Sequence, residues 1–386
     1  MAKAIPLQCR PMAKKRVEQR DAPAWWVKFP LKTEHRWLNV LLLAVPVAIG
    51  LHFTDAPPIA VFITAALGII PLAGVMGEAT EALAAHTGPT IGGILNATFG
   101  NATELIIAVF ALRAGHVEVV KASLSGSIIG NILLVLGLSI LAGGIGREKQ
   151  TFSRAAAGTN TTMLFIAVIA LVMPAVYEVS VLGGLHHEQA PVLMDLSLWT
   201  SGVLIAIYAV SFIFVLNTHK RIFCAQDEKT EPTTSRNSAI VSLALATVFV
   251  GVLSEMLVGE IEAVTKALGW TEFFVGVIVV AIIGNAAEHS TAVMMARRDK
   301  MDLAITIAVG SSTQIALFVA PVLVFLSLAL GHPMTLVFNA FEIVAIVVSV
   351  LIVQMVSDDG ESTWFEGAQL LAVYLILAVS FYFVPA

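Results

Sequence analysis

Two short stretches of this sequence hold residues that could do chemistry in an unusual setting. Gly100-Asn101-Ala102-Thr103-Glu104 recurs, 184 positions later, as Gly284-Asn285-Ala286-Ala287-Glu288. In each stretch the acid follows the amide by three residues, so on a helix Asn101 and Glu104 share a face, as do Asn285 and Glu288. Glycine at positions 100 and 284 would let the helix open and free backbone carbonyls as further ligands. Two carboxylates with amide and carbonyl oxygens make a hard donor set. It suits Ca²⁺, which takes about six to eight oxygens. Zinc prefers His or Cys, and neither Cys9 nor Cys224 falls in an apolar stretch.

The surroundings give these residues their meaning. The chain has 386 residues, 58% of them hydrophobic and only 13% charged, with mean hydropathy +0.88. A soluble protein carries about 25% charged residues, so a soluble enzyme and a disordered scaffold are excluded. A net charge of −5 also excludes a nucleic-acid binder, which needs a concentrated basic surface. The apolar residues come in long blocks. With about 20 residues needed per crossing, eleven spans are expected. They are 38–54, 59–85, 90–112, 117–141, 160–176, 192–215, 238–259, 273–296, 303–330, 334–355 and 365–384. Residues 1–36 are polar and basic, without the apolar core of a signal peptide. Trp25, Trp26 and Trp37 read as interfacial anchors. With the tail inside, nineteen Lys and Arg residues fall on the inner side and three (Arg113, Lys121, Lys266) on the outer. That bias sets the N-terminus in the cytoplasm and the C-terminus outside. The stretch with Glu178, His186, His187 and Glu188 reads as a solvated outer loop.

The repeat extends beyond the two motifs. At the same offset Gly92 meets Gly276, Arg113 meets Arg297, and Gly126-Ser127 meets Gly310-Ser311. The expected fold is therefore all-α and membrane-embedded, with about eleven helices. A basic tail (1–36) precedes one extra helix (37–54). A first five-helix repeat (57–216), a polar, acidic linker (217–236) and a second repeat (237–386) follow. Five spans per copy invert the second copy, and inverted repeats are the signature of secondary transporters with substrate at the midplane.

Glu78, Glu104, Glu255 and Glu288 lie well inside spans, whereas Glu81 and Glu342 lie nearer span ends. A charge at the bilayer centre costs about 2.5–3.5 kcal/mol, so four acids cost roughly 10 kcal/mol and call for a mobile cation or protons as partners. Glu104 and Glu288 are the expected ion ligands, and Glu78 and Glu255 the expected proton relay or gate. Asn96, Thr98, Ser125, Ser127, Asn131, Ser311, Ser312, Thr313 and Gln314 can supply further oxygens, with the two amides Asn131 and Gln314 most in need of partners. Gly-Asn-x-x-Glu could also serve only to pack helices. A full negative charge placed twice at membrane depth argues against that. His289 points to a different helix face from Glu288.

Gly-Asn-Ala-Thr-Glu-Leu-Ile at 100–106 and Gly-Asn-Ala-Ala-Glu-His at 284–289 resemble motifs of the calcium/proton exchangers, the CAX branch of the calcium/cation antiporter superfamily. So do Ser-Gly-Ser-Ile-Ile-Gly-Asn-Ile-Leu-Leu-Val-Leu-Gly at 125–137 and Gly-Ser-Ser-Thr-Gln-Ile-Ala-Leu at 310–317. The resemblance covers nearly the whole chain after residue 36. It implies ten core helices in two inverted repeats after one extra helix, and an acidic stretch between the halves, here only Asp227, Glu228 and Glu231. It also implies ion coordination by Glu104 and Glu288, helped by Asn101, Asn285 and Gln314. The Ser/Thr-Pro-Glu-type motif of the Na⁺/Ca²⁺ branch is absent. The expected function is exchange of Ca²⁺ for H⁺ by alternating access, with no cofactor beyond the transported ions. Coupling to Na⁺ or K⁺, or transport of Mn²⁺ or Mg²⁺, is the alternative. The lipid bilayer is the expected partner, in a bacterial-type cytoplasmic membrane. No nucleophile-base set and no His-Glu-x-x-His motif points to an enzyme.

Overall fold

A computed structural model describes residues 40–54, 56–87, 89–183, 191–214 and 234–385. The basic tail with its tryptophans, the loop residues His186, His187 and Glu188, and most of the linker lie outside the described residues. Thirteen helices follow in order among the described residues. They are α1 (Ala44–His52), α2 (Pro58–Thr87), α3 (Pro89–Phe99) and α4 (Ala102–Arg113). Then come α5 (Val117–Gly144), α6 (Arg154–Leu182), α7 (Pro191–Ile213), α8 (Arg236–Gly259), α9 (Ile261–Leu268), α10 (Glu272–Arg297), α11 (Met301–Leu330), α12 (Ala340–Val356) and α13 (Trp364–Tyr382). Eight of them are long and apolar enough to cross a membrane: α2, α5, α6, α7, α8, α10, α11 and α13. α12 is a shorter apolar helix. The chain is an integral membrane protein.

Capping chemistry sets the boundaries where hydropathy alone misplaces them. The fifth span is expected over 160–176, but its helix starts at Arg154, because the Ser153 hydroxyl accepts from the Ala156 N–H. That helix also runs on past its expected end, so Glu178, expected in a solvated loop, is buried in its last turns. The tenth span is expected from 334, but α12 starts at Ala340. There Asn339 and Glu342 form a reciprocal capping box, Glu342 N–H to Asn339 Oδ1 at 2.9 Å and Asn339 N–H to Glu342 Oε2 at 3.0 Å. The third expected span is two helices, α3 and α4, separated by Gly100 and Asn101.

Three of the long helices carry an internal stretch of π-helix: Gly130–Val135 in α5, Val275–Val280 in α10 and Ile315–Val319 in α11. Such stretches loosen the backbone ladder and often mark functional positions. Those in α5 and α11 nearly coincide at the 184-residue offset. α8 packs along α2, α13 along the second half of α5, and α10 against α2, α5 and α11. α10 is thereby central.

At the end of the molecule rich in Arg and Lys, two short strands join the halves. Gln150 and Thr151 pair antiparallel with Ser362 and Glu361. Lys149 Nζ donates to Glu361 at 2.7 Å, which raises the lysine pKa. Gln150 donates to the Ala296 carbonyl at 3.0 Å, and Arg147 reaches the Gly143 and Arg297 carbonyls. At the opposite end, Lys266 donates to Glu262 at 2.5 Å and holds that carboxyl below its usual range.

Candidate ion site

The break at Gly100-Asn101 puts Glu104 in the first turn of α4. There its charge faces the positive end of the helix. The second motif behaves differently. Gly284 was expected to open its helix, but Gly284 and Asn285 sit inside unbroken α10. Gly284 instead makes room. A Cβ built there would lie 3.0 Å from Glu104 Cγ and 3.6 Å from Cδ. Glu288, one turn on from Gly284, lies on the same face of α10 and so beside Glu104. The two acids are neighbours.

Around them the amides and hydroxyls bond to one another. Asn101 Nδ2 donates to Gln314 Oε1 at 2.5 Å, and Ser311 Oγ donates to Asn101 Oδ1 at 2.8 Å. On the other side Asn285 Nδ2 donates to Ser127 Oγ at 2.9 Å and to the Ala281 carbonyl at 2.9 Å. Asn131 Nδ2 donates to Asn285 Oδ1 at 3.0 Å. Asn101, Asn131, Asn285, Ser127, Ser311 and Ser312 are all buried. Ser312 donates back to Ala308 O and toward Ile128 O.

Both Glu104 oxygens, Glu288 Oε2 and Asn131 Oδ1 are buried and accept no hydrogen bond. A buried unpaired acceptor costs about 1–3 kcal/mol, more if charged. Four oxygens in that condition, three of them on carboxyl groups, suit a bound cation or protons. The carboxamide oxygens of Asn101, Asn285 and Gln314 already accept from neighbours. In this arrangement they brace the acids.

Other expected residues lie elsewhere. Asn96 is exposed on α3, and Thr98 bonds back to Ile94 in its own helix. Thr313 bonds back to Val309. Glu78 is half-buried on α2, and Glu255, expected deep in its span, is exposed on α8. Ser125 does not face the acids; its hydroxyl donates to Glu342 Oε1 at 2.6 Å.

The family model for sodium/calcium exchanger proteins matches residues 57–217 and 238–383. The chain belongs to the sodium/calcium exchanger family. This exchanger is a secondary transporter, not an enzyme. It is 44% identical to a Ca²⁺/H⁺ antiporter of Synechocystis over 92% of this chain and 99% of that one. It is 45% identical to the Ca²⁺/H⁺ antiporter ChaA of Bacillus subtilis over 88% of this chain and 96% of that one. Among solved structures, native YfkE superposes with a TM-score of 0.78 at 42% identity, covering 90% of this exchanger and all of that chain.

Besides Glu178, one acid that the sequence placed near a span end, without a role, proves to be buried. Glu342, 3% exposed, holds Ser125, the Asn339 N–H and the field of nearby buried Lys121. The signal was present as Asn339-x-x-Glu342, the capping-box spacing that marks a helix start.

Proposed function

We propose that this chain exchanges Ca²⁺ for H⁺ across a membrane, with Glu104 and Glu288 binding either one Ca²⁺ or protons. The observation that carries this reading is the pair of adjacent glutamates with three buried carboxyl oxygens that accept no hydrogen bond. Empty, the site would hold up to two negative charges, and moving such charge through the bilayer interior is costly. One Ca²⁺ or two protons neutralise it. A carrier that changes state only when neutral cannot leak, so the two ions must exchange. Protons rather than Na⁺ are favoured as counter-ion because relatives above 40% identity over most of their length are Ca²⁺/H⁺ antiporters.

In this reading eleven spans form one extra helix and two inverted five-helix repeats, joined by the 217–236 linker. The nineteen-to-three split of Lys and Arg sets the basic end in the cytoplasm, and the bacterial relatives favour a cytoplasmic membrane. Asn131 Oδ1 joins the carboxylates as a ligand, while Asn101, Asn285, Gln314, Ser127 and Ser311 position them. Glu78 and Glu255 act on the proton path.

The test is ⁴⁵Ca²⁺ uptake into proteoliposomes under an imposed pH gradient. Uptake that follows the gradient and collapses with a protonophore supports exchange. Uptake that follows a Na⁺ or K⁺ gradient instead, or Mn²⁺ or Mg²⁺ flux without Ca²⁺ flux, would replace the counter-ion or the cargo.

A further inference from the structure

Away from the two acids, a groove of about 900 Å³ runs between α6 and α7, with Leu317 of α11 in its lining. Its apolar walls are Met163 and Ile166 on α6 and Ile207 and Val210 on α7. Ile166, Ile207 and Val210 are exposed, so the groove opens sideways toward the bilayer. Toward the basic end its lining turns polar, with Arg154, Thr159 and Gln354.

The corner where the start of α6 meets the end of α7 differs from the one where the start of α12 meets the end of α13. There Phe381, 1% exposed, packs its ring 5.6 Å from that of Phe341 and 5.5 Å from that of Phe273, centre to centre. At the 184-residue offset the mates of Phe341 and Glu342 are Ala157 and Gly158. Ala155 and Gly158 line the groove, and a Cβ on Gly158 meets nothing within 4 Å. Rings close one corner, and small residues keep the other open.

Length and charge select an occupant. From Arg154 to Ile166 the helix rises about 18 Å, close to half of the roughly 30 Å hydrocarbon core. That is the depth of one leaflet, and an acyl chain matches it in length and polarity. At the mouth the charges are balanced. Arg154 donates to Asp358 at 2.9 Å, with both side chains mostly exposed. Asp302 accepts from the Ser153 N–H at 2.6 Å, at the same helix start, and Lys149 is paired with Glu361. A purely anionic head group is drawn by clustered, unmatched basic residues, which this mouth does not offer. A guanidinium beside a carboxylate complements a phosphate beside an ammonium.

We infer that this groove is a binding site for a phospholipid with a primary ammonium in its head group, that is, phosphatidylethanolamine. One acyl chain lies between α6 and α7 down to Ile166. The phosphate meets Arg154, whose five N–H donors let it keep Asp358 as well. The ammonium donates to Asp358. Phosphatidylcholine has no N–H on its ammonium, and phosphatidylglycerol has no cation. The site is independent of which ions the chain exchanges.

The test is thermal unfolding of the full chain in detergent, with dioleoyl phosphatidylethanolamine, phosphatidylcholine or phosphatidylglycerol added to the micelles. A ligand of the folded state raises the melting temperature. Phosphatidylethanolamine should raise it at least twice as far as either other lipid. Equal shifts from all three would mean bulk solvation only, and a larger shift from phosphatidylglycerol would mean an anion site; either overturns the inference. Gly158→Phe fills the corner with a ring, as Phe381 fills the other, and should abolish the extra shift. An undiminished shift in that variant would place the lipid elsewhere and overturn this site. Asp358→Asn changes only an exposed side chain, so it reports even if Gly158→Phe folds poorly. It should bring phosphatidylethanolamine down to the level of phosphatidylcholine, and a preference that survives it would overturn the head-group contact.

Discussion

Ser311 donates to Asn101 across the two halves at 2.8 Å, and the bond from Asn285 to Ser127, at 2.9 Å, joins the two residues that the 184-residue offset makes their mates. In one bond the serine is the donor, in the other the acceptor, because each asparagine also bonds a second amide. Ser311→Ala leaves Asn101 Oδ1 without its donor, and Ser127→Ala leaves one Asn285 N–H unpaired. Each loss costs about 1–3 kcal/mol. Each variant should weaken apparent Ca²⁺ affinity in flux titrations by severalfold or more and lower thermal stability, while transport persists. Unchanged affinity in both would remove these serines from the site.

Glu104→Gln and Glu288→Gln replace a buried charge with a neutral isostere. Each should abolish proton-driven ⁴⁵Ca²⁺ uptake, a loss of at least tenfold or about 1.4 kcal/mol. Melting temperature in the absence of Ca²⁺ should hold or rise, since a desolvated charge has been removed. Stabilisation by added Ca²⁺ should vanish. Uptake surviving in either variant would refute the pairing of the two acids.

Proton and Ca²⁺ share these carboxyl groups in the proposed cycle. Lowering the pH on the loading side should therefore raise the Ca²⁺ concentration needed for half-maximal flux, and saturating Ca²⁺ should restore the rate. A maximal rate that falls with no change in half-saturation would point to protonation elsewhere.

At Gly284 the decisive quantity is the space beside Glu104. Gly284→Ala puts a methyl group 3.0 Å from Glu104 Cγ, tighter than ordinary carbon contact at about 3.5–4.0 Å. The side chain can yield a few tenths of an ångström, so Gly284→Ala should fold and transport slowly. Gly284→Val should abolish Ca²⁺ binding measured by calorimetry.

Glu342 is expected to be structural. Glu342→Ala leaves the Asn339 cap of α12 but removes the carboxylate that accepts from the Asn339 N–H and from Ser125, lowering stability by about 1–3 kcal/mol. Glu342→Gln keeps acceptor geometry and should recover part of that loss. Neither should change the pH profile of uptake; a shifted profile would make Glu342 a proton carrier.

The sequence alone points to Glu104 and Glu288, because a full charge repeated in an apolar chain needs an ion or a proton to neutralise it. It does not reveal what the amides do. Asn101, Asn285 and Gln314 carry the oxygens that a cation could use, yet each oxygen already accepts a bond. Those donors come from residues 154 to 213 positions away, beyond any local pattern. Gly284 reads as a hinge by its neighbours in sequence and proves to be a recess by its neighbour in space. Boundaries fail for another reason. Hydropathy averages over a window, whereas Ser153 and Asn339 begin their helices through single hydrogen bonds.

The four side-chain bonds that brace the two acids each join a residue before position 214 to one after position 234. Neither stretch of chain owns a finished binding pocket. Made separately, each piece would carry amides and hydroxyls with no mates and a lone acid with nothing to share its cargo. Made together, the pieces should find each other without the intervening peptide, so activity rebuilt from two co-expressed fragments follows from the way the bonds are shared.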